Sequence, residues 1–333
     1  MTLADKKQIT FAGAAPIGAG TPWGTLALVV RKALEPLGYQ TEIEVLSWGA
    51  NNPRYVADGR ADLGATQYRA VQEAMDGVEA WQGEAPRSNL RLIAIINQPA
   101  WIGVAVRAET GITDLADVAK MQIPLRLKLG RERAIESILA YYGLSREKIV
   151  AWGGHLVAAE PAQEATPADP FGRWLGRDWN AIAPWVASGE FDAIIDPIYA
   201  AYTPEHKHWW EATLLHNMRF LPLPDDLIRQ IVAKQQAEGP GAIPHRLMRG
   251  VNEDVPTVQR FPQCIYTRAE ADDAFIYDVT KALDAARHLF RSTHIPYSYD
   301  PDNVARERAV PLHDGARRYY LEAGYPTFRK GGD

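Results

Sequence analysis

Gln8-Ile9-Thr10-Phe11-Ala12, then Gly18-Ala19-Gly20-Thr21-Pro22-Trp23-Gly24, then Leu26, Val30, Ala33, Leu34 and Leu37 ahead of Gly38 decide the fold class. The first run reads as a strand and the second as a glycine-rich loop. Thr21-Pro22 is a cap with a first-turn proline, and the apolar residues that follow recur at helical spacing until a glycine stops them. The same rhythm continues. Thr41–Leu46 reads as a strand, Asn52-Pro53 opens a short helix ending at Asp58-Gly59, and Ala61–Thr66 and Leu90–Ile96 read as strands. Alternation of this kind predicts an α/β protein with parallel sheets built from βαβ units.

A second run begins after Trp101–Val106, which reads as a strand leaving the first lobe. Ile123–Leu127 is expected as a strand, and the helix after it carries Ile135, Ile138, Leu139 and Tyr142 on one face. Lys148–Trp152 is expected as a strand, Asn180–Ser188 as a helix and Phe191–Ile195 as a strand. His155–Arg177, rich in Pro, Ala and Gly, reads as a long loop of the sort that covers a site. Gln263–Thr267 reads as a strand returning to the first lobe. Asp272–Arg291 is an amphipathic helix with Phe275, Val279, Leu283, Ala286 and Phe290 as its stripe, and Gly315–Ala323 a final helix. The pattern predicts two lobes, 1–103 with 263–333 and 104–262, joined by two crossings, with the C-terminal helices on lobe one.

Composition narrows the function. The 333 residues suffice for two cores, and 47% hydrophobic with 23% charged residues is ordinary for a globular chain. A formal net charge of -5 offers no basic face for nucleic acid and no polybasic anchor for lipid. The one cysteine, Cys264, excludes an internal disulfide and a multi-cysteine metal site. No run of about 18 apolar residues occurs, so no membrane insertion is expected. Met1–Gln8 lacks the apolar core of a secretory signal. The expected compartment is the periplasm if a signal peptide has been removed and the cytoplasm otherwise.

Four stretches resemble the TAXI family of TRAP-transporter receptors. They are Gly18–Gly24; Ser47-Trp48-Gly49-Ala50-Asn51-Asn52 with Asp58–Gly64 and a nearby Gln67; Val106–Val118; and Glu253–Val258 with Val310–Tyr320. They follow the family's order across almost the whole chain. The resemblance implies a two-lobed, type II periplasmic-binding-protein fold of the Venus-flytrap kind. It also implies a small, carboxylate-bearing solute held between the lobes and presented to TRAP membrane subunits. Arg126-Leu127-Lys128-Leu129-Gly130-Arg131 departs from the family, which has a Gly-Ser-Gly type of loop there.

Candidate site residues follow from strand ends and helix starts, where unpaired N–H groups and a partial positive charge favour anions. Gly20 and Thr21 in the first loop, Ser47 and Gly49 in the second, and Gln67 after the third strand are candidate ligand contacts. Arg126, Lys128 and Arg131 supply cations for a carboxylate, with Glu132 and Glu136 near enough to neutralise them instead. Trp23, Trp48 and Trp101 are candidate walls for a flat, apolar ligand body such as an aromatic carboxylate, or else packing residues. No cofactor is expected. His206, His208 and His216 are read as a solvated turn, and no metal is expected, since no carboxylate or cysteine lies near at ligand spacing. No nucleophile elbow or phosphate loop is present. His155 and Asp196, at predicted strand ends, would be the acid–base pair of the alternative, a cytoplasmic decarboxylase, hydrolase or lyase on the same scaffold.

Overall fold

The computed structural model describes residues 7–13, 22–45, 51–97, 99–157, 181–203, 206–290 and 299–327. The chain divides into two compact units, Met1–Gln98 with Phe261–Asp333, and Pro99–Arg260, so it passes between them after Gln98 and after Arg260. Both divisions fall a few residues before the sequence-based boundaries. The reason for the first is pairing: the strand Ala100–Arg107 bonds along its length to the second unit's sheet.

In the first unit the strands are β1 (Lys7–Ala12), β2 (Tyr39–Glu44), β3 (Leu63–Gln67), β4 (Leu90–Ile96) and β12 (Gln263–Arg268), in the order β2-β1-β3-β12-β4. β1 runs parallel to β2 and β3, but β12 is antiparallel to both β3 and β4, so the sheet is mixed rather than parallel. Helix α1 (Pro22–Leu34) buries Leu26, Val30, Ala33 and Leu34, as their spacing requires. Leu37 leaves that stripe for solvent because Glu35–Leu37 tightens into a 3-10 turn closed by left-handed Gly38. α2 (Asn52–Ala57) and α3 (Tyr68–Asp76) follow.

The C-terminal helices α10 (Asp273–Ala285), α11 (Arg287–Phe290) and α12 (Asp314–Glu322) belong to this unit. α10 and α12 pack so closely that a side chain at Gly315 would meet the Asp273 carbonyl. Cys264 is buried in β12 as a free thiol.

The second unit carries β5 (Ala100–Arg107), β6 (Arg126–Leu129), β7 (His155–Leu156), β8 (Ala193–Tyr199), β9 (Met218–Phe220), β10 (Gly239–Ile243) and β11 (Val255–Gln259). The order is β10-β11-β5-β8-β6-β7, with β9 beside β5. β6 is parallel to β7 and β8, whereas β5 is antiparallel to β8. Helices α4 (Leu115–Met121), α5 (Arg133–Tyr141), α6 (Arg146–Ala151), α7 (Pro184–Ala187), α8 (His208–Leu215) and α9 (Asp225–Ala233) connect them. Alternate residues of a strand face opposite sides. Ile102, Val104, Ala193 and Ile195 therefore enter one core with α5 and α9, while Trp101, Ala105, Ile194 and Ile198 enter another with α7 and α8.

Two expectations are corrected here. Lys148–Trp152 is not a strand but most of α6, whose cap Ser145 accepts from the Lys148 N–H at 3.2 Å. Ile149 is buried while Val150 is 54% exposed, so one face is core and the other solvent. The helix expected over Asn180–Ser188 shrinks to α7, and Asn180 lies outside the described residues.

Arg126, the first residue of β6, is held in the second unit by Asp192, just before β8. Its Nη2 donates to Oδ1 at 2.6 Å and its Nε to Oδ2 at 3.1 Å, and Oδ2 also accepts from the Arg126 backbone N–H. Burial pushes the Asp192 carboxyl up, but these Arg126 bonds outweigh it and leave it below its ordinary value. A depressed carboxyl contributes stability above its unfolded value, about 4, and that contribution disappears as pH falls through the folded value. The melting temperature of Asp192→Asn should therefore lie below the parent's at pH 7, and the gap should close as the pH drops below about 4. A gap that persists unchanged at pH 3 would contradict this.

Candidate functional site

β6 and β8 run parallel and end side by side, with Leu129 opposite Ile195. Carboxyl ends of such strands are where open α/β sheets bind ligands. Past the end of β6 come Gly130, Arg131 and Glu132, then α5. Near the end of β8 stand Asp196 and Tyr199, and Arg260 follows β11. The approach of the two strands is tight. A Cβ at Gly130 would collide with Asp196 Oδ1 and lie 3.0 Å from Pro197 Cδ, so glycine is required there for lack of space.

Asp196 is 4% exposed and sits on the sheet face that α8 covers. Its Oδ2 lies 2.9 Å from His208 Nε2 and 3.4 Å from His206 Nδ1. His208 opens α8, its ring set against Trp185 and Trp209. His206 stacks on Tyr199 with ring centroids 4.9 Å apart. Burial would raise the Asp196 carboxyl, but the two imidazoles draw it well below the ordinary carboxylate value. Burial pushes His208 down against the pull of Asp196, and Lys128 adds to the lowering. Asp196 is thus the charged member of the pair and His208 the neutral one.

A second network adjoins the first through Tyr199. The Arg260 guanidinium bonds both the Tyr199 hydroxyl and the Glu132 carboxylate, and lies 5.2 Å from the Tyr199 ring centroid. Burial alone would lower Arg260, yet the Glu132 carboxylate, helped by the Tyr199 hydroxyl, raises it above its ordinary value.

The residues expected from sequence are distributed as follows. Gly20, Thr21, Ser47, Trp48 and Gly49 lie outside the described residues. Trp23 is half-buried in the first turn of α1, and Gln67 is the last residue of β3 and the cap of α3, also half-buried. Trp101 is 8% exposed, and a Cβ at Gly241 of β10 would stand 3.0 Å from its Cδ1. Its ring is core packing, not a ligand wall. Arg126 is committed to Asp192 at the opposite end of β6 from Gly130, so it is a structural cation. Lys128 is half-buried and donates to the Leu129 carbonyl at 3.2 Å, on the side of the sheet that holds His208. Arg131 is exposed at the turn.

His155 does not pair with Asp196. It is exposed and aligned with Arg126, while Asp196 lies beyond Leu129. That is about four residues along the strands, or roughly 13 Å, and two strands across. The two cannot share a proton, so the acid–base pair is withdrawn. The sequence reading takes Glu132 only as a neutraliser of the nearby cations, passes over Tyr199 and Arg260, and sets aside His206 and His208 for want of a carboxylate. Asp196 is that carboxylate, supplied ten residues earlier by β8.

Among solved structures, the chain is similar to a TctC solute-binding protein from Polaromonas at 11% identity and a TM-score of 0.49, over 89% of this chain and 91% of that one. It is similar to the glycine betaine/L-proline-binding protein ProX from Borrelia burgdorferi at 15% identity and a TM-score of 0.43, over 88% and 98%. For the periplasmic aliphatic sulphonate-binding protein SsuA from Escherichia coli the values are 14% and 0.41, over 86% and 70%. The model of the NMT1-like family matches residues 23–166 and 211–324, well over half of the sequence. The chain, a mixed α/β protein of two compact units, belongs to the NMT1-like family.

Proposed function

We propose that this protein is the solute-binding receptor of a membrane transporter, working in the periplasm, and that its solute is a small organic anion. The charge inventory at the end of β6 carries the reading. Arg131 is exposed at the turn into α5, and the two carboxylates nearest in sequence are engaged elsewhere. Glu132 is taken by Arg260, and Glu136 accepts from Arg146 at 2.8 Å. Arg131 thus stands at a helix start, where the dipole disfavours a cation and favours an anion. A carboxylate bound there would satisfy both the arginine and the first N–H groups of α5. Among the described residues no helix is long and apolar enough to cross a membrane, which accords with delivery to separate membrane subunits. The resemblance of the sequence to TAXI receptors supports TRAP-type subunits as those partners.

Thermal-shift screening of short and aromatic carboxylic acids, each beside its neutral amide, tests the ligand class, because a ligand selective for the folded state raises the melting temperature. Acids should shift it and amides should not. Arg131→Ala should weaken the best acid by about 1.5–3 kcal/mol, the range for a charged hydrogen bond. Equal shifts by acids and amides, or an affinity that Arg131→Ala leaves unchanged, would reject the reading.

A further inference from the structure

We infer that Asp196, His206 and His208 form a binding site for one divalent transition-metal ion of the zinc class, a role distinct from the anion contact at Arg131. One ligand atom from each lies within 4.8 Å of the others. Ligand atoms about 2.0–2.2 Å from a tetrahedral zinc are spaced by roughly 3.3–3.6 Å. The 3.4 Å from Asp196 Oδ2 to His206 Nδ1 falls in that range, and the 2.9 Å to His208 Nε2 would have to open by a few tenths of an ångström. The decisive feature is what these atoms do not do. His206 Nδ1 and His208 Nε2 are both buried and face the same carboxylate oxygen at 3.4 and 2.9 Å, neither of them aligned for a regular hydrogen bond with it. Buried polar atoms left unpaired are costly, and lone pairs converging on one point are what a metal ion satisfies.

The surroundings hold the three groups in place. His206 is fixed by stacking on Tyr199, which Arg260 in turn anchors. His208 is set between Trp185 and Trp209, and Trp209 Nε1 donates to the Pro197 carbonyl, next to Asp196, at 2.8 Å. Two imidazoles and one carboxylate suit zinc, copper, iron or nickel rather than calcium or magnesium, which take oxygen ligands. Three protein ligands leave one position open, the arrangement of a site that exchanges ligands rather than a closed structural one. Lys128 is the opposing charge, since it acts on His208 from β6, and it weakens affinity without blocking the geometry.

The test is zinc titration of the chelator-treated, full-length protein against a chromophoric competitor, with melting temperature as a second readout. One equivalent should bind saturably and raise the melting temperature, and magnesium should do neither. His206→Ala and Asp196→Asn should each weaken zinc by at least the roughly 10–100-fold that loss of an outer-shell partner costs. His155→Ala should leave it unchanged. The His206 side chain is 21% exposed, so its removal should spare the fold, and if Asp196→Asn does not fold, His206→Ala decides alone. Absence of saturable uptake, or uptake undiminished in His206→Ala, overturns the site. Either result leaves the comparison of acids with amides standing by itself.

Discussion

Trp209→Ala is expected to destabilise the second unit by about 3–5 kcal/mol, the cost of emptying a large buried site. Trp209 is 1% exposed, and its ring stacks on Phe220 with centroids 5.7 Å apart. Its neighbours are already at their limit. Gly103 of β5 lacks a side chain where a Cβ would stand 3.1 Å from the indole Cζ2, so the sheet backbone itself forms one wall. A rigid wall cannot collapse into the vacated volume, which places the loss toward the high end. Trp209→Phe keeps most of the apolar surface but strands the Pro197 carbonyl, and should cost about 1–3 kcal/mol. Urea unfolding followed by circular dichroism measures both. With two units, two transitions are expected, and only the one belonging to Pro99–Arg260 should move. A Trp209→Ala midpoint within error of the parent would show that the indole is not the core element described.

Arg260→Met should cost about 2–3 kcal/mol, below the 3–5 of a fully buried pair because Glu132 keeps some access to water. The Arg260 side chain is 15% exposed and that of Glu132 29%. Removing the cation leaves Glu132 half-buried without its partner, and removes the donor that fixes Tyr199. The diagnostic is the double variant. Arg260→Met with Glu132→Gln removes the stranded charge as well, so it should be more stable than Arg260→Met alone. Additive losses in the two single variants would mean that the guanidinium and the carboxylate do not act as a unit. The unfolding midpoint in urea is again the measurement.

Much of the fold was legible because its strongest signals are local. The Leu26, Val30, Ala33 and Leu34 stripe and the Gly38 stop give α1 directly, and the runs at Lys7–Ala12 and Leu90–Ile96 give their strands. α6 was misread because Ile149-Val150 looks like a strand, and a short apolar run has no period of its own. The capping serine and left-handed Gly153 were the better evidence. Strand direction was not legible at all, since nothing in Gln263–Arg268 says which neighbours it will bond or in which sense. The site was obscured for the same reason. Arg126 reads as a free cation until β6 and β8 pair and bring Asp192 against it. His206-Lys207-His208 reads as a solvated turn until the chain folds back over the β8 face that presents Asp196. Partners drawn from separate elements leave no spacing signature.

The place of β12 also sets an order of events during synthesis. This strand fills the slot between β3 and β4, bonding to both. It leaves the ribosome only after all of Pro99–Arg260. At about 5–20 residues per second, the 160-odd intervening residues take roughly 8–33 s, long beside the folding time of a small domain. The second unit is continuous in sequence and can close its own sheet during that interval. The first cannot, and must carry two unbonded strand edges until its last segment arrives. The half of the molecule that begins the chain is therefore the half that finishes last, and the nascent chain is most open to aggregation or chaperone capture through β3 and β4.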